Sequence, residues 1–236
     1  MTNSTSRFFV TGDTHGNEDI GKLLYTNFPE GKNLTKNDYV IICGDFGLVW
    51  DNSEDELDWR NWLESRPWTT LFVDGNHENY TELAKFPTVD WCGGKVQMIS
   101  DSVIHLMRGQ YYEINGRTFF TMGGAESTDK EHRRVGISWW PEEVPSYVEC
   151  ENALKVLEEH NYNVDYILTH TAPKELCELI AIKNKWYYER INDPTASVLQ
   201  EVANRTEFKD WYFGHFHDEQ DFGKYHMLFY DIKEIK

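Results

Sequence analysis

Short apolar runs separated by polar segments make up the first third of the chain. The runs cover residues 7–11, 38–43 and 69–73, and each is followed by a glycine or an aspartate. Apolar runs of this length between turn residues predict buried β-strands. A helix is predicted from Ser53, because Ser53 and Glu56 have the spacing of a capping box, with Leu57 and residues 59–63 as its apolar side. The alternation predicts a largely parallel sheet with right-handed crossovers.

The middle of the chain has a different pattern. Residues 96–99, 103–107, 110–114 and 117–122 are short β-like runs, and Asn115-Gly116 joins the last two. Because this dipeptide is typical of a two-residue hairpin, these runs predict a second, mostly antiparallel sheet. Residues 123–145 follow without a periodic pattern and are rich in glycine, proline and charge. A loop of this length usually has a function of its own or acts as a lid.

The last third returns to helices and strands. A helix is predicted from Ser146, where Glu149 completes a capping box, and another from Asp193, where Pro194 takes the first helical position. Strands are predicted at residues 164–169, 208–213 and 225–230, the last of which closes the sheet. A chain of 236 residues can bury one good core. We therefore expect residues 1–236 to form a single domain with a lid-like insertion at about 123–145.

Charge and composition narrow the classes of function. The chain has 40 acidic and 23 basic residues, a net charge of -17 and a mean hydropathy of -0.63. The acidic balance disfavours extended nucleic acid as a partner, because such proteins usually offer a basic groove. The hydropathy indicates no membrane association, and residues 1–6 lack the pattern of a signal peptide. Four widely spaced cysteines fit reduced thiols, so a cytoplasmic location is expected.

Five short motifs follow predicted strands and carry residue types that bind divalent metals. They are Asp13-Thr14-His15, Gly44-Asp45, Gly75-Asn76-His77-Glu78, His170 and Gly214-His215-Phe216-His217. Oxygen and imidazole ligands without cysteine suit Mn, Fe, Zn, Co or Ni rather than Ca. Residues two apart on an extended backbone share a side, so each Asp-x-His or His-x-His pair can converge on one cluster. A bridging aspartate could then hold two ions about 3.5–4 Å apart.

The five motifs together resemble the calcineurin-like metallophosphoesterase superfamily, and the resemblance spans residues 12–217. It implies an α/β metallophosphoesterase fold, in which two mixed β-sheets pack as a sandwich flanked by helices, with two divalent metal ions at the strand ends. It also implies the ligands of each ion. One metal would be held by Asp13, His15, Asp45 and His217, and the other by Asp45, Asn76, His170 and His215. His77 would donate a proton or hydrogen bond to the leaving oxygen, while a bridging hydroxide attacks.

One departure from the superfamily concerns phosphate binding. In the protein Ser/Thr phosphatases the second motif continues with an aspartate and an arginine, whereas here Asp45 is followed by Phe46-Gly47-Leu48-Val49-Trp50. This difference argues against that branch and its symmetrical-tetraphosphatase relatives. The 123–145 segment resembles an insertion in small bacterial and phage metallophosphoesterases, and Arg133 and Lys130 are the candidate substrate-binding residues. Two interpretations remain open: these cations and Trp139-Trp140 contact substrate, or they pair with acidic neighbours and pack in the core.

The predicted function is a metal-dependent phosphoester hydrolase, either a phosphodiesterase or a phosphatase, that acts on a small phosphorylated or nucleotide substrate. We expect Mn as the metal, with Fe, Zn, Ni or Co as alternatives. Two other functions are considered: a non-catalytic scaffold built on the same fold, and a DNA nuclease that shares the five motifs. Retention of His77 and every ligand counts against the first, and the acidic balance counts against the second. The oligomeric state is left open.

Overall fold

The computed structural model describes residues 6–185 and 193–236, which form two mixed β-sheets with helices on their outer faces. The strands, in chain order, are β1 (Phe8–Thr11), β2 (Tyr39–Cys43), β3 (Thr69–Val73), β4 (Thr88–Trp91), β5 (Gly94–Ser100), β6 (Val103–Leu106), β7 (Gln110–Ile114), β8 (Arg117–Met122), β9 (Tyr166–Thr169), β10 (Asp210–Phe213), β11 (Gln220–Phe222), β12 (Tyr225–Met227) and β13 (Lys233–Ile235).

The first sheet has the order β13-β1-β2-β3-β6-β5-β4. Strands β1, β2, β3 and β6 are parallel, and the three remaining strands pair antiparallel at the two sides. The second sheet has the order β11-β12-β10-β9-β8-β7, with a parallel centre from β12 to β8. Both sheets are therefore mixed, as the family resemblance implied.

Two predictions about the sheets are wrong in part. Strands β5 and β6 join the first sheet, where β6 pairs with β3, so residues 96–122 do not form one separate antiparallel sheet. All four residues of β6 are buried, and a strand that is covered on both faces belongs inside a sheet between other strands. Strand β12 does not close its sheet either, because β11 lies outside it. The hairpin at Asn115-Gly116 is confirmed, with Ile114 opposite Arg117.

The helices are α1 (Glu54–Glu64), α2 (Tyr80–Leu83), α3 (Tyr147–Glu159), α4 (Lys174–Asn184) and α5 (Pro194–Arg205). The predicted starts of α3 and α5 are confirmed, with a full capping box at Ser146 and with Asp193 accepting from the Thr195 N–H. At α1 only half of the capping box forms: Ser53 accepts from the Glu56 N–H, but the Glu56 side chain bonds elsewhere. Leu57 is exposed, so the predicted apolar side of α1 is wrong at that position.

Three apolar layers hold these elements together. The central layer lies between the two sheets and includes Val10, Ile41 and Phe119. A second layer joins the outer face of the second sheet to α3, α4 and α5, and a third covers the outer face of the first sheet beside α1. Across residues 6–185 and 193–236, none of the helices has the length and apolar character needed to cross a membrane.

Candidate metal centre

The five motifs meet at one edge of the sandwich. Asp13, Asp45 and Asn76 lie just beyond the carboxyl ends of β1, β2 and β3, while His170 and His215 lie beyond β9 and β10. In an open α/β sheet the crevice outside the carboxyl ends of parallel strands is where ligands bind. The parallel centres of both sheets thus deliver their terminal side chains to a common crevice.

The first predicted ligand set is brought together. One ligand atom from each of Asp13, His15, Asp45 and His217 lies within 4.8 Å of the others. His15 Nε2 lies 3.3 Å from Asp45 Oδ2, and His217 Nε2 lies 3.1 Å from Asp13 Oδ2. Both aspartates are buried, whereas the side chain of His217 is 51% exposed, so this set opens to solvent on the His217 side.

In the second predicted set, His170 lies next to Asp45, Asn76 and His215. His170 Nε2 lies 2.9 Å from Asn76 Oδ1 and 3.3 Å from Asp45 Oδ1. The rings of His170 and His215 are in edge contact, with centroids 4.9 Å apart. In the part of the chain that the structure describes, the first set alone has its carboxylate and imidazole ligand atoms within 4.8 Å of one another. Asp45 is common to both predicted sets.

The ligands converge through left-handed backbone turns rather than through an extended chain. The φ angles of His15, Asp45, His215 and His217 are 41°, 46°, 70° and 50°. The reason offered for convergence, that residues two apart on an extended backbone share a side, is therefore wrong, although the pairs do meet. Positive φ is uncommon for non-glycine residues, and several such residues in one place mark a functional site.

Two glycines leave room for ligands that a Cβ atom would displace. Gly44 has a φ of 91°, and a Cβ there would lie 2.1 Å from His170 Nδ1. A Cβ on Gly214 would lie 2.1 Å from Asp13 Oδ1. These close approaches explain why glycine stands beside ligands in the second and fifth motifs.

Two histidines are held by their second ring nitrogen. Nδ1 of His15 lies 2.9 Å from Asp19 Oδ2, and Nδ1 of His170 lies 2.9 Å from the Cys43 carbonyl oxygen. An Nδ1–H that donates to these oxygens directs Nε2 toward the aspartates. This arrangement is typical of metal-ligating histidines, whose free N–H is bound by a carboxylate or backbone carbonyl.

Charges in the site shift the pKa values of its histidines. Burial disfavours the imidazolium, but Asp45 and Asp13 outweigh it and raise the pKa of His15 to about 9 and that of His170 to about 10. Burial, helped by the nearby His170, lowers the pKa of His215 to about 3. The pKa of Asp45 lies well below its usual value, because the histidines overcome the effect of burial. The carboxylates therefore stay ionised and attract cations.

The residues fit the divalent metals that the family resemblance implies. Asp13 Oδ2 is buried and has no hydrogen-bond partner, although Nε2 of His217 lies only 3.1 Å away. A buried carboxylate oxygen without a partner is costly, so it calls for a cation. Carboxylate, amide and imidazole ligands together suit transition metals.

His77 lies beside the ligands without belonging to the first set. Its backbone N–H donates to Asp45 Oδ1 over 2.7 Å, and its ring contacts that of His15 with centroids 5.7 Å apart. Burial lowers the pKa of His77, and Arg133 adds to the effect against the opposing charge of Asp45. The imidazole is thus neutral at neutral pH before substrate binds.

Glu78, the last residue of the third motif, binds the backbone just after Asp45 of the second motif. Its buried carboxylate accepts the backbone N–H groups of Phe46 and Gly47 over 2.7 Å and 3.2 Å. Burial and the nearby Asp45 raise the pKa of Glu78 to about 8 despite these bonds. The glutamate of the third motif therefore ties the third strand end to the second.

The 123–145 segment reaches the site at two points. Arg133 Nη1 lies 3.0 Å from His77 Nδ1, and Ser127 Oγ accepts from Asn76 Nδ2 over 3.1 Å. Lys130, by contrast, is exposed and pairs with Glu126. Trp140 is buried, and its Nε1–H donates to Thr81 over 2.9 Å, which is the packing interpretation for this tryptophan.

Several residues that serve the site were not singled out from the sequence. Asp19 holds His15, Ser127 holds Asn76, and the Phe229 ring stacks on His217 with centroids 4.7 Å apart. The Lys22 ammonium donates to the carbonyl oxygen of Asp13 over 2.6 Å. Asp19 carries a local signal, because it follows His15 by four residues, while Phe229 becomes a neighbour only in the folded chain.

Comparison with protein families gives one finding. The family model described as calcineurin-like phosphoesterase matches residues 6–219. That range contains all five motifs and the whole 123–145 segment. Comparison with curated proteins finds no significant match.

Proposed function

Since this chain belongs to the calcineurin-like phosphoesterase family, we propose that it is a metal-dependent hydrolase of a small phosphorylated or nucleotide substrate. The observation that carries the proposal is the meeting of ligand atoms of Asp13, His15, Asp45 and His217 within 4.8 Å, with His77 beside them. We further propose that the site is dinuclear and binds Mn, with Fe, Zn, Ni or Co as alternatives. Free thiols at Cys43, Cys92, Cys150 and Cys177 support a cytoplasmic location.

Each side chain receives a role from its position. Asp13, His15, Asp45 and His217 would hold one ion, and Asp45, Asn76, His170 and His215 would hold the other. When bound, the two ions would supply Lewis acidity and lower the pKa of the attacking water. The chain's own contribution is to fix the ligand directions, through the Asp19 contact with His15 and the Cys43 contact with His170.

His77 is the proposed donor to the leaving oxygen. Its backbone N–H binds Asp45, which fixes the residue beside the ligands, while its ring faces the Arg133 guanidinium. A neutral imidazole donates one hydrogen bond, and a phosphate dianion next to it would raise its pKa. The ring can therefore gain a proton as substrate binds and deliver it as the ester bond breaks.

Arg133 is the proposed phosphate clamp. Its guanidinium lies against His77 and also pairs with Asp129 at 2.8 Å, so it is held toward the site. A charged fork of this kind matches phosphate oxygens with two parallel hydrogen bonds. Lys130 remains a weaker candidate, since it lies at the surface beside Glu126.

A cavity of about 390 Å³ next to His15 and His77 supports a small substrate. The Trp50 and Trp59 side chains line it, together with carboxylates that include Asp51 and Asp55, and neither lysine nor arginine is among its lining residues. Aromatic faces can pack on the organic part of a phosphoester, whereas the carboxylates repel a polyanion. This lining supports a nucleoside or another uncharged group rather than a nucleic-acid chain.

One set of assays tests the proposal against its alternatives. The metal-loaded protein is given bis-p-nitrophenyl phosphate, p-nitrophenyl phosphate and plasmid DNA with Mn²⁺, and Asp45→Asn is the inactive control. Hydrolysis of either small ester that is lost in Asp45→Asn supports the proposal. Metal binding without any hydrolysis would instead indicate a scaffold, and cleavage of plasmid alone would indicate a nuclease.

A further inference from the structure

We propose that Ser127 and Glu143 are positioning residues that orient the Asn76 amide so that its oxygen, and not its nitrogen, faces the second metal. Both belong to the 123–145 segment, so this segment would build part of the metal centre as well as one side of the crevice. The inference rests on the proposed function in one respect: it takes Asn76 and His170 to share a metal.

A chain of buried hydrogen bonds links the three residues. Asn76 Nδ2 donates to Ser127 Oγ over 3.1 Å, and Ser127 Oγ donates to Glu143 Oε2 over 2.6 Å. The backbone N–H of Ser127 donates to the other oxygen, Glu143 Oε1, over 2.7 Å. Asn76, Ser127 and Glu143 are 7%, 3% and 0% exposed, so water does not compete for these bonds.

The direction of each bond follows from the chemistry of the groups. Both Glu143 oxygens accept, one from the Ser127 backbone N–H and the other from the Ser127 hydroxyl, so the single hydroxyl hydrogen of Ser127 is committed to Glu143. The Ser127 oxygen is then left as an acceptor, and the side of the amide that faces it must be the NH₂ group. The Asn76 carbonyl oxygen consequently points away from Ser127, to a position 2.9 Å from His170 Nε2.

Orientation matters because the two ends of an amide are not equivalent to a metal. Only the oxygen offers a lone pair, and a rotated amide would present N–H hydrogens to the cation. The Asn76 side chain carries no net charge, so its neighbours decide which end faces inward. Ser127 and Glu143 therefore act on Asn76 as a carboxylate acts on a metal-ligating histidine.

The segment is anchored just beyond β3, the strand that precedes Asn76. The Gly124 N–H donates to the Asp74 carbonyl over 2.8 Å, and Arg108 bonds both the Asp74 carboxylate and the Glu143 carbonyl. These contacts hold Glu143 at a fixed place relative to β3. A buried carboxylate such as Glu143 is costly in a fold, so its place under a ligand is better explained by a role in positioning than by stability.

Metal titration of the apoprotein tests the inference without relying on activity. Binding of Mn²⁺ is followed by electron paramagnetic resonance of the free ion in wild type, Ser127→Ala and Glu143→Gln. We expect both variants to bind the second ion, the one that Asn76 would hold, about 10–100-fold more weakly. This is the usual effect of removing a residue that hydrogen-bonds to a metal ligand. Their affinity for the first ion should equal that of wild type. Thr128→Ala and Glu142→Gln change exposed neighbours and should match wild type at both sites.

A double-mutant comparison separates orientation from general packing. The two oxygens of a carboxylate are equivalent, so Asn76→Asp needs no orienting partner. Adding Ser127→Ala to Asn76→Asp should therefore cost little further affinity for the second ion. Equal losses in both backgrounds, equal weakening of both ions, or wild-type affinity in Ser127→Ala and Glu143→Gln would each overturn the inference. If wild type binds two ions but hydrolyses no ester, the proposed function fails while these affinities still decide the inference.

Discussion

The guanidinium of Arg133 lies against the imidazole of His77, with Nη1 3.0 Å from Nδ1 and Nη2 3.3 Å from Nε2. The positive charge of Arg133 thus lies next to His77, the side chain that would donate to the leaving oxygen. The arginine comes from the 123–145 segment, whereas the histidine follows β3, and the two are 56 positions apart in the chain. This contact joins the third motif to the 123–145 segment.

Replacement of Arg133 tests the phosphate clamp. Arg133→Ala should lower kcat/KM. The corresponding rise in activation free energy should be about 1–3 kcal/mol, the range for a lost hydrogen bond to a charged group. Metal content should stay at the wild-type level, because the hydrogen bonds and the ion pair of the Arg133 side chain go to His77, Ser138 and Asp129. Arg134→Ala is the matched control. Steady-state kinetics with elemental analysis give both readouts, and an unchanged kcat/KM in Arg133→Ala would remove the residue from the site.

Replacement of His77 separates proton donation from metal binding. His77→Ala keeps the backbone N–H that donates to Asp45, so both ions should remain bound. Turnover should fall by about 10²–10⁴-fold, the usual contribution of a general acid. The loss should be smaller for p-nitrophenyl esters, because that leaving group needs little protonation. Loss of a metal from His77→Ala would show that the histidine is a ligand.

Metal uptake by the apoprotein should release protons. The pKa values of about 9 for His15 and about 10 for His170 mean that both are protonated at pH 7 without metal. A histidine must be neutral to bind a metal, so binding at pH 7 should expel about two protons, and the metal affinity should rise with pH up to about 10. Calorimetry in buffers of different ionisation enthalpy counts these protons. Uptake without proton release would mean that neither histidine binds the metal.

The same shifts set a pH dependence for apoprotein stability. A histidine whose pKa is raised by folding stabilises the fold fully below its unfolded value of about 6.5, and this stability is lost as pH rises through the folded value. The free energy of unfolding of the apoprotein should therefore decline up to about pH 10. The chelator-free, metal-loaded protein should lack this decline, which urea unfolding at several pH values would measure.

Replacement of Glu56 tests how much this side chain stabilises the loop that leads into α1. Its buried carboxylate oxygen Oε2 accepts the backbone N–H groups of Trp50, Asp51 and Asn52 over 3.0, 2.8 and 3.2 Å. Glu56→Ala leaves these donors without their acceptor and should lower the free energy of unfolding by about 1–3 kcal/mol. Asp58→Ala, at an exposed position of the same helix, should change it little. Urea unfolding of the metal-free proteins makes the comparison.

Local pattern predicted the strands better than their partners. The bounds of β3, β7 and β8 agree with the sequence-based expectation, since each is a compact run between turn residues. The placement of β5 and β6 could not be predicted in this way. Their pattern shows that they are strands, but which sheet they join depends on the parallel pairing of β6 with β3, a contact between distant parts of the chain.

In the site, too, local pattern predicted which residues take part but not the contacts between distant residues. Asp13 and His217 were expected to converge because each follows a strand-like run, and they do meet. The left-handed turns around them could not be foreseen, because positive φ is uncommon for any non-glycine residue and no residue pattern marks where it occurs. Ser127 and Glu143 lie in a segment without periodicity, so nothing in their spacing predicts a bond to Asn76.

The left-handed turns at His15, Asp45, His215 and His217 have a consequence for protein engineering. Each such conformation costs a non-glycine residue about 1–3 kcal/mol, which the surrounding fold must offset. A graft of the ligand side chains onto another scaffold would therefore reproduce the chemistry of the ligands but not their directions. The unit to transplant is the set of turns together with their glycines, including Gly44, which lies against His170. A scaffold protein that cannot adopt those turns would carry the ligand residues but hold them in the wrong positions.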